Sequence, residues 1–135
     1  ETAATTKGFV MEFIHAPKAC ASVGPYSHCV KAGSTYYLCG QVPFHPVTGE
    51  VVGNGMKEQA VQTLANMKAV LEAAGLAVTD IAKTTVFVTN MDDFAAFNEV
   101  YAAFMGEHRP ARVCVEVSNI AHGCLLEMDA ICFKE

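Results

Sequence analysis

A short segment near the end of the chain carries the residue types best suited to binding a small anion. Polar residues alternate there with valines, as Arg112, Cys114 and Glu116 against Val113, Val115 and Val117. This period-two pattern is typical of a β-strand with one apolar face. A guanidinium is permanently charged and presents five donors in a fixed geometry, so a carboxylate is its natural partner. Arg112 is one of only two arginines in the chain, and it is therefore our first candidate for a ligand-binding residue.

A second alternating segment, residues 125–133, supplies the opposite charge through Glu127. If residues 119–122 form a loop, the two segments pair as a hairpin in which Cys114 lies opposite Glu127. Directly opposed residues share a face, so this register places Arg112, Cys114 and Glu127 in one polar cluster and the valines in the core. The alternative is a cross-strand ion pair on a solvated face, and the pattern alone does not separate the two.

Composition indicates one domain that is acidic and rich in apolar residues. The 135 residues fit a single domain, with residues 1–15 as an N-terminal segment and first strand and residues 16–135 as the remainder. We predict no structural role for residues 1–8. A net charge of −5 argues against a nucleic-acid groove, which needs clustered lysine and arginine. With 52% hydrophobic and 17% charged residues, the surplus of apolar surface suggests burial between subunits of a closed homo-oligomer.

The six cysteines and five histidines lack the spacing of a metal site or a disulfide scaffold. The cysteines form no CxxC motif, and the histidines form neither HxH nor HExxH. Phosphate loops and dinucleotide fingerprints are also missing, so we expect no metal and no organic cofactor. Cysteines without disulfide spacing predict a protein of a reduced compartment, and with no basic leader visible we expect the cytoplasm, with mitochondria as the alternative. No apolar run is long enough for a membrane span, so we expect no membrane partner.

The elements that must position these residues follow in the order β-β-β-α-β-α-β-β. Strands are predicted at residues 9–15, 26–31, 35–41, 81–89, 112–117 and 125–133. Helices are predicted at residues 56–74, ending before Gly75, and from Asp92 or Asp93 to about Met105. An aromatic stripe on the second helix is interpreted as a packing surface: Phe94, Phe97, Tyr101 and Phe104. This order predicts an α+β fold with both helices on one face of the sheet. The other face, assigned to Arg112, then needs a cover from a neighbouring subunit.

Six short motifs occur along the chain: Gly24-Pro25-Tyr26-Ser27, Gly40-Gln41-Val42-Pro43, KAVLEAAG at 68–75, KTTVF at 83–87, FAAFNEVY at 94–101 and Arg109-Pro110-Ala111-Arg112. Their order and spacing over residues 16–133 resemble the Rid (reactive intermediate deaminase) family, also called the YjgF family. The resemblance implies a chorismate-mutase-like α+β fold and a homotrimer with clefts between subunits. It also implies hydrolysis of enamines and imines of the 2-aminoacrylate/2-iminopropanoate type to 2-keto acids and ammonia. That activity is the one of a 2-iminobutanoate/2-iminopropanoate deaminase.

The same resemblance implies roles for individual residues. Arg112 matches the arginine that grips the substrate carboxylate, and Glu127 matches the acid that positions or activates the attacking water. Further substrate-binding positions are matched by Tyr26, Cys39, Gly40, Asn98 and Cys114. Arg112 of one subunit is expected to meet groups such as Asn98 or Tyr26 of another. An imine is already electrophilic, so a positioned acid–base group suffices without a cofactor.

Three positions depart from the family pattern. Cys39 stands where many members have serine, and Ala121 and His122 stand where proline and lysine are usual. Two other classes of function stay open, namely an endoribonuclease or translation inhibitor and a non-catalytic small-ligand-binding or holdase protein. The retained Arg112 and Glu127 favour the enzyme over both, and the acidic charge disfavours nucleic acid as a partner.

Overall fold

The computed structural model describes residues 2–6 and 9–135, with side chains from residue 11 onward. Its seven strands and two helices are β1 Thr2–Thr6, β2 Phe9–Ile14, β3 Cys29–Ala32, β4 Thr35–Gln41, α1 Met56–Ala73, β5 Ile81–Val88, α2 Phe94–Met105, β6 Ala111–Glu116 and β7 Leu126–Phe133. Short 3₁₀ turns lie at Val78–Asp80, Met91–Asp93 and Ala121–Gly123. The sequence therefore predicted both helices and the six strands from β2 to β7 to within three residues at each end.

Helix α1 is amphipathic, and its apolar side forms the centre of the core. Leu64, Met67 and Val70 recur at helical spacing and are almost fully buried. The helix ends where Gly75 adopts a positive φ of 74°, a conformation that glycine reaches without strain. Val61, which falls in the same sequence stripe, is 58% exposed and thus lies outside the packing face.

The strands form one mixed sheet in the order β1-β2-β3-β4-β7-β5-β6. Both helices pack on the same face of this sheet, where α1 contacts α2, β4 and β7. The buried face includes Val86 and Val88 of β5 with Leu126 and Met128 of β7. The predicted α+β class with both helices on one face is thereby confirmed.

The predicted hairpin between the last two strands is wrong. Strand β5 lies between them and pairs in parallel with β6 and antiparallel with β7. Parallel neighbours need a crossover connection of a dozen or more residues, usually a helix, and α2 makes that connection from β5 to β6. The alternation in β6 is compatible with either partner, so the pattern alone could not identify β5 as its neighbour.

The predicted faces of β6 are also reversed. Arg112 pairs with Thr84 and Cys114 pairs with Val86, so both side chains lie on the face that the helices cover. Val113 and Val115 lie on the opposite face and remain 43% and 40% exposed. The valines thus belong to a face of the sheet that no helix of the described chain covers.

The N-terminal segment differs from expectation as well. We predicted no role for residues 1–8, yet Thr2–Thr6 form the edge strand β1, paired antiparallel with β2. Glu1, Lys7 and Gly8 lie outside the described residues.

The cysteines and the helices bear on two expectations from composition, namely free thiols and no membrane span. All six cysteines are free thiols, and three of them, Cys29, Cys124 and Cys132, are fully buried. Among the described residues, no helix is long and apolar enough to cross a membrane.

Candidate active site

A cleft of about 130 Å³ opens beside Glu127 and collects four of the predicted site residues. Its lining includes Tyr26, Cys39, Gly40, Gln41, Phe44 and Glu127. We call it the Glu127 cleft. Strands β4 and β7 are neighbours in the sheet, so they bring Cys39 and Gly40 next to Glu127, while Tyr26 reaches the cleft from the loop before β3.

The carboxylate of Glu127 lies directly against the backbone of Gly40. The pairing of β4 with β7 shifts register between Leu38 and Gln41, which indicates a bulge at this point. A Cβ atom added to Gly40 would overlap the Oε2 atom of Glu127 and lie 3.0 Å from its Cδ. The absence of a side chain at position 40 therefore creates the space that the carboxylate occupies.

The surroundings of Glu127 disfavour its charged form. Partial burial raises the pKa of Glu127 above its usual value, and the negative charge of nearby Asp129 raises it further. A carboxyl group with a raised pKa exchanges protons closer to neutral pH, which suits a general base or acid.

Cys39 contributes a neutral thiol to the same cleft. Gln41 donates a hydrogen bond from Nε2 to the Sγ atom of Cys39 over 3.2 Å. Burial raises the pKa of Cys39; the bond from Gln41 opposes this shift, and the charge of Glu127 adds to it. The thiol therefore stays protonated at neutral pH and can donate a weak hydrogen bond in place of a hydroxyl.

Buried polar side chains hold the walls of the cleft in place. Asn66 of α1 donates from Nδ2 to the carbonyl oxygens of Val42 and Phe44, both over 2.9 Å. His28 accepts a bond from the backbone N–H of Ala16 at Nδ1 and lies 2.7 Å from the carbonyl of Cys20 at Nε2. These two bonds require the neutral imidazole with its proton on Nε2.

Arg112 lies in a different place, under helix α2. It donates from Nη1 to the Oδ1 atom of Asn98 over 2.8 Å. Its guanidinium carbon is 4.9 Å from the ring centre of Tyr101, 5.3 Å from that of Phe94 and 5.9 Å from that of Phe97. We call these four α2 residues the Arg112 cradle. Among the described residues no carboxylate pairs with Arg112, so its other N–H groups can donate hydrogen bonds to an external anion.

Cys114 shares a face of β6 with Arg112 and packs against the edge of the core. Burial raises the pKa of Cys114, and the positive charge of Arg112 opposes that shift. Cys114 therefore lies on the same strand face as Arg112, but it does not line the Glu127 cleft, so its predicted place between Arg112 and Glu127 is wrong within one chain.

The predicted cluster of Arg112, Cys114 and Glu127 does not form within one chain. Glu127 pairs with Phe87 on the uncovered face, whereas Arg112 is on the helix face. Two strand spacings and three residues along the sheet separate their Cα positions by about 14 Å. Asn98 is also bound to Arg112 of its own chain, so the expectation that it comes from another subunit is wrong.

Sequence reasoning missed several residues that shape the two halves of the site. Gln41 is inside a motif that carried the resemblance, and Asn66 is a polar residue on the apolar side of α1, so each had a signal. Tyr101 was interpreted as core packing, and its position beside Arg112 follows only from the parallel placement of β6 next to β5.

Comparison with known proteins identifies the family. The family model described as endoribonuclease L-PSP matches residues 15–134. A RutC family protein of Pyrococcus horikoshii is 48% identical over 124 residues, which cover 92% of this chain and 98% of that protein. The chain belongs to the Rid (YjgF/RutC) family. The resemblance predicted from the short motifs is thereby confirmed.

This Rid family member is also similar to one further curated relative and to two solved structures. A 2-iminobutanoate/2-iminopropanoate deaminase of Escherichia coli is 46% identical over 117 residues, covering 84% of this chain and 91% of that enzyme. A crystal structure of E. coli TdcF with bound serine superimposes with a TM-score of 0.87 at 41% identity, covering 92% of this chain and 99% of TdcF. A putative endoribonuclease of Thermotoga maritima superimposes with a TM-score of 0.89 at 42% identity, covering 92% and 98%.

Proposed function

We propose that this Rid family protein hydrolyses imines and enamines of small 2-amino acids to 2-keto acids and ammonia. The observation that carries the proposal is that the same chain provides two groups at separate positions. One is an arginine that donates only to Asn98 among the described residues, and the other is a cleft carboxylate of raised pKa. The 46% identity to a 2-iminobutanoate/2-iminopropanoate deaminase supports the same reaction. The serine bound to TdcF supports an amino-acid-sized ligand.

The chemistry needs few groups because an imine carbon is already electrophilic. The enamine 2-aminoacrylate takes a proton from water on carbon to give the N-protonated form of 2-iminopropanoate. Water then adds to the imine carbon while ionised Glu127 accepts one of its protons. The nitrogen of the resulting carbinolamine takes that proton from Glu127 and leaves as ammonia, and the hydroxyl proton returns to water as the carbonyl of the 2-keto acid forms. Positioned acid–base catalysis of this kind contributes about 10²–10⁴-fold to the rate.

In this proposal Arg112 grips the substrate carboxylate through its free N–H groups. Paired charge-assisted hydrogen bonds to a planar carboxylate fix the orientation of the neighbouring imine. Tyr26, Cys39 and Gly40 would line the pocket around the reacting carbon, and Cys114 would flank the carboxylate.

A small substrate cannot span the distance between Arg112 and Glu127 of one chain, so each site must combine two copies. We propose a homotrimer in which the cradle of one subunit faces the Glu127 cleft of the next. The uncovered sheet face, with Val113 and Val115 exposed, supports such an interface because its apolar surface needs burial. Arg112 would then meet Tyr26 of a neighbouring subunit, while Asn98 stays with Arg112.

The reaction is tested by generating 2-aminoacrylate in situ from serine with a serine dehydratase, in the presence of semicarbazide. We expect the protein to lower semicarbazone formation and to speed the release of pyruvate and ammonia. Arg112→Ala and Arg112→Lys should both lose most of this activity, because a point charge cannot reproduce a two-pronged grip. Near-normal turnover by the alanine variant would contradict the proposed role.

The name of the matching family model raises ribonuclease activity as a second candidate. A net charge of −5 gives it little electrostatic support, because RNA binding depends on phosphate contacts from lysine and arginine. Incubation with a labelled single-stranded RNA separates the two functions. If Glu127→Gln and Arg112→Ala still cleave the RNA, the ribonuclease activity lies outside the proposed site.

A further inference from the structure

The guanidinium of Arg112 lies against aromatic rings on the side that faces α2. Tyr101 is the nearest of these rings, at 4.9 Å from the guanidinium carbon to the ring centre. A cation within about 6 Å of such a ring is attracted to its face. Within the part of the chain that the structure describes, Arg112 donates one hydrogen bond, to Asn98, and its other N–H groups are available. The ring contact therefore holds the cation without using a donor.

Tyr101 is itself fixed by a buried hydrogen bond. Its hydroxyl lies 2.7 Å from the Oγ1 atom of Thr84, and both residues are buried. Thr84 is the residue of β5 that pairs directly with Arg112. The strand that aligns the backbone of Arg112 therefore also anchors the ring on which its side chain rests.

We propose that Tyr101 is a positioning residue that acts through Arg112. Its ring, anchored by Thr84, keeps the guanidinium in one orientation and points the free N–H groups away from α2, toward the incoming carboxylate. A free arginine side chain loses rotamer entropy when it binds a ligand, and a pre-ordered side chain loses less of it. The inference goes beyond the proposed hydrolysis and rests on it only for the choice of a carboxylate ligand.

A merely structural role is the competing explanation, because Tyr101 also belongs to the buried core. The two roles differ in what they change. A structural residue lowers stability and affects all ligands alike. A positioning residue changes the order of the Arg112 side chain and affects ligands that carry a carboxylate.

The direct test is NMR of the arginine Nε–Hε groups in ¹⁵N-labelled protein. The chain has only two arginines, and exposed Arg109 serves as an internal reference. We expect the Arg112 signal to be shifted upfield by ring currents and to show restricted motion. Tyr101→Leu should move it toward the Arg109 signal, whereas Tyr101→Phe should retain most of the shift. This readout needs no catalysis, so it separates failure of the inference from failure of the proposed function.

The second test compares ligands and a matched variant on the same helix. We expect Tyr101→Leu to weaken binding of 2-oxobutanoate by roughly three- to tenfold, as the loss of a cation–π contact suggests. Binding of the corresponding neutral amide should change little. Phe104→Leu, also an aromatic residue of α2, should leave both affinities near the parent values. An Arg112 signal that coincides with that of Arg109 in the parent protein overturns the proposal, whether or not the leucine variant folds. Equal losses for acid and amide overturn it as well.

Discussion

The carboxylate of Glu127 sits in a place where its charge destabilises the folded chain. Its pKa is raised by burial and by Asp129, so the folded state binds its proton more tightly than the unfolded state does. Such a group favours folding most below its unfolded pKa, and this contribution is lost as pH rises through the folded pKa. At neutral pH the ionised carboxylate therefore lowers the free energy of unfolding.

We accordingly expect Glu127→Gln to be more stable than the parent at pH 7 and to lose about 10²–10⁴-fold in kcat. Thermal melting at several pH values measures the difference in stability between Glu127→Gln and the parent. This difference should vanish when the pH falls below about 4, the usual range of a carboxyl pKa. The acid limb of the parent pH–rate profile should lie above that range, since the base must be ionised. An unchanged kcat together with an unchanged pH profile in the variant would remove Glu127 from the mechanism.

The contact of Gly40 with Glu127 makes a sharp steric test. We expect Gly40→Ala to displace the carboxylate and to lower kcat by about 10²-fold or more, the range for losing a positioned acid–base group. The matched control is Gly55→Ala, because a Cβ at position 55 meets only Glu58, at 3.9 Å. Steady-state rates and melting temperatures of both variants decide the matter. Full activity of Gly40→Ala would mean that Glu127 does not need its position against Gly40 in order to act.

Helix α2 determines which strand lies beside β6 and therefore which side chains contact Arg112. It connects β5 to β6, places these strands in parallel, and turns Arg112 toward its own aromatic residues. The sequence predicted the strands and helices because apolar periodicity is a local signal. It did not predict their neighbours, because the alternation in β6 fits any partner strand and the pairing depends on how the whole chain folds.

The same limit applies to the candidate site. The sequence predicted four of the site residues that the structure groups in twos. Arg112 and Cys114 lie on one face of β6, and Tyr26 and Gly40 line the Glu127 cleft. Their division into two half-sites on opposite faces was not predicted, because the expected hairpin placed Arg112 and Glu127 on one face. A wrong neighbour exchanges the two faces of a strand, as a one-residue register slip does.

The segment that follows β4 forms one wall of the Glu127 cleft. Asn66 holds this segment to α1 through the carbonyls of Val42 and Phe44. We expect Asn66→Ala to cost about 1–3 kcal/mol of stability, because it removes two buried hydrogen bonds that tie this segment to α1. The carbonyl of Val42 keeps its bond from the backbone N–H of Phe44, and that of Phe44 keeps its bond from the Sγ atom of Cys20. It should also raise KM, since the wall is no longer fixed. Chemical denaturation and kinetics measure the two effects.

Gln62→Ala is the control for this prediction. Gln62 donates to Asn66 from the more exposed side of α1 and does not reach the cleft wall. Its loss should change stability and KM much less. Equal effects of the two variants would show that the bonds to Val42 and Phe44 contribute nothing particular.

For the whole molecule, the uncovered sheet face is the main unexplained apolar surface. Four of its side chains are 40% to 55% exposed in the isolated chain: Tyr37, Val113, Val115 and Phe133. We expect Val115→Lys to dissociate the assembly and to abolish activity while the subunit stays folded, because a charge in an apolar interface is costly. Val61→Lys is the control, since Val61 is 58% exposed on α1, away from this face. Sedimentation velocity and circular dichroism separate loss of assembly from loss of fold, and an active monomeric Val115→Lys would exclude a shared site.

We propose that each site joins Arg112 of one subunit to Glu127 of another, and subunit complementation is the experiment that tests this arrangement. Arg112→Ala and Glu127→Gln are each expected to lose nearly all activity alone, and they are unfolded together, refolded and assayed as a mixture. In a closed trimer every mixed assembly has one intact site of three, and random mixing makes three quarters of the assemblies mixed. The expected activity is therefore about a quarter of the parent value. Mixed trimers that are seen by native mass spectrometry and show no activity above the single variants would contradict a site shared between subunits.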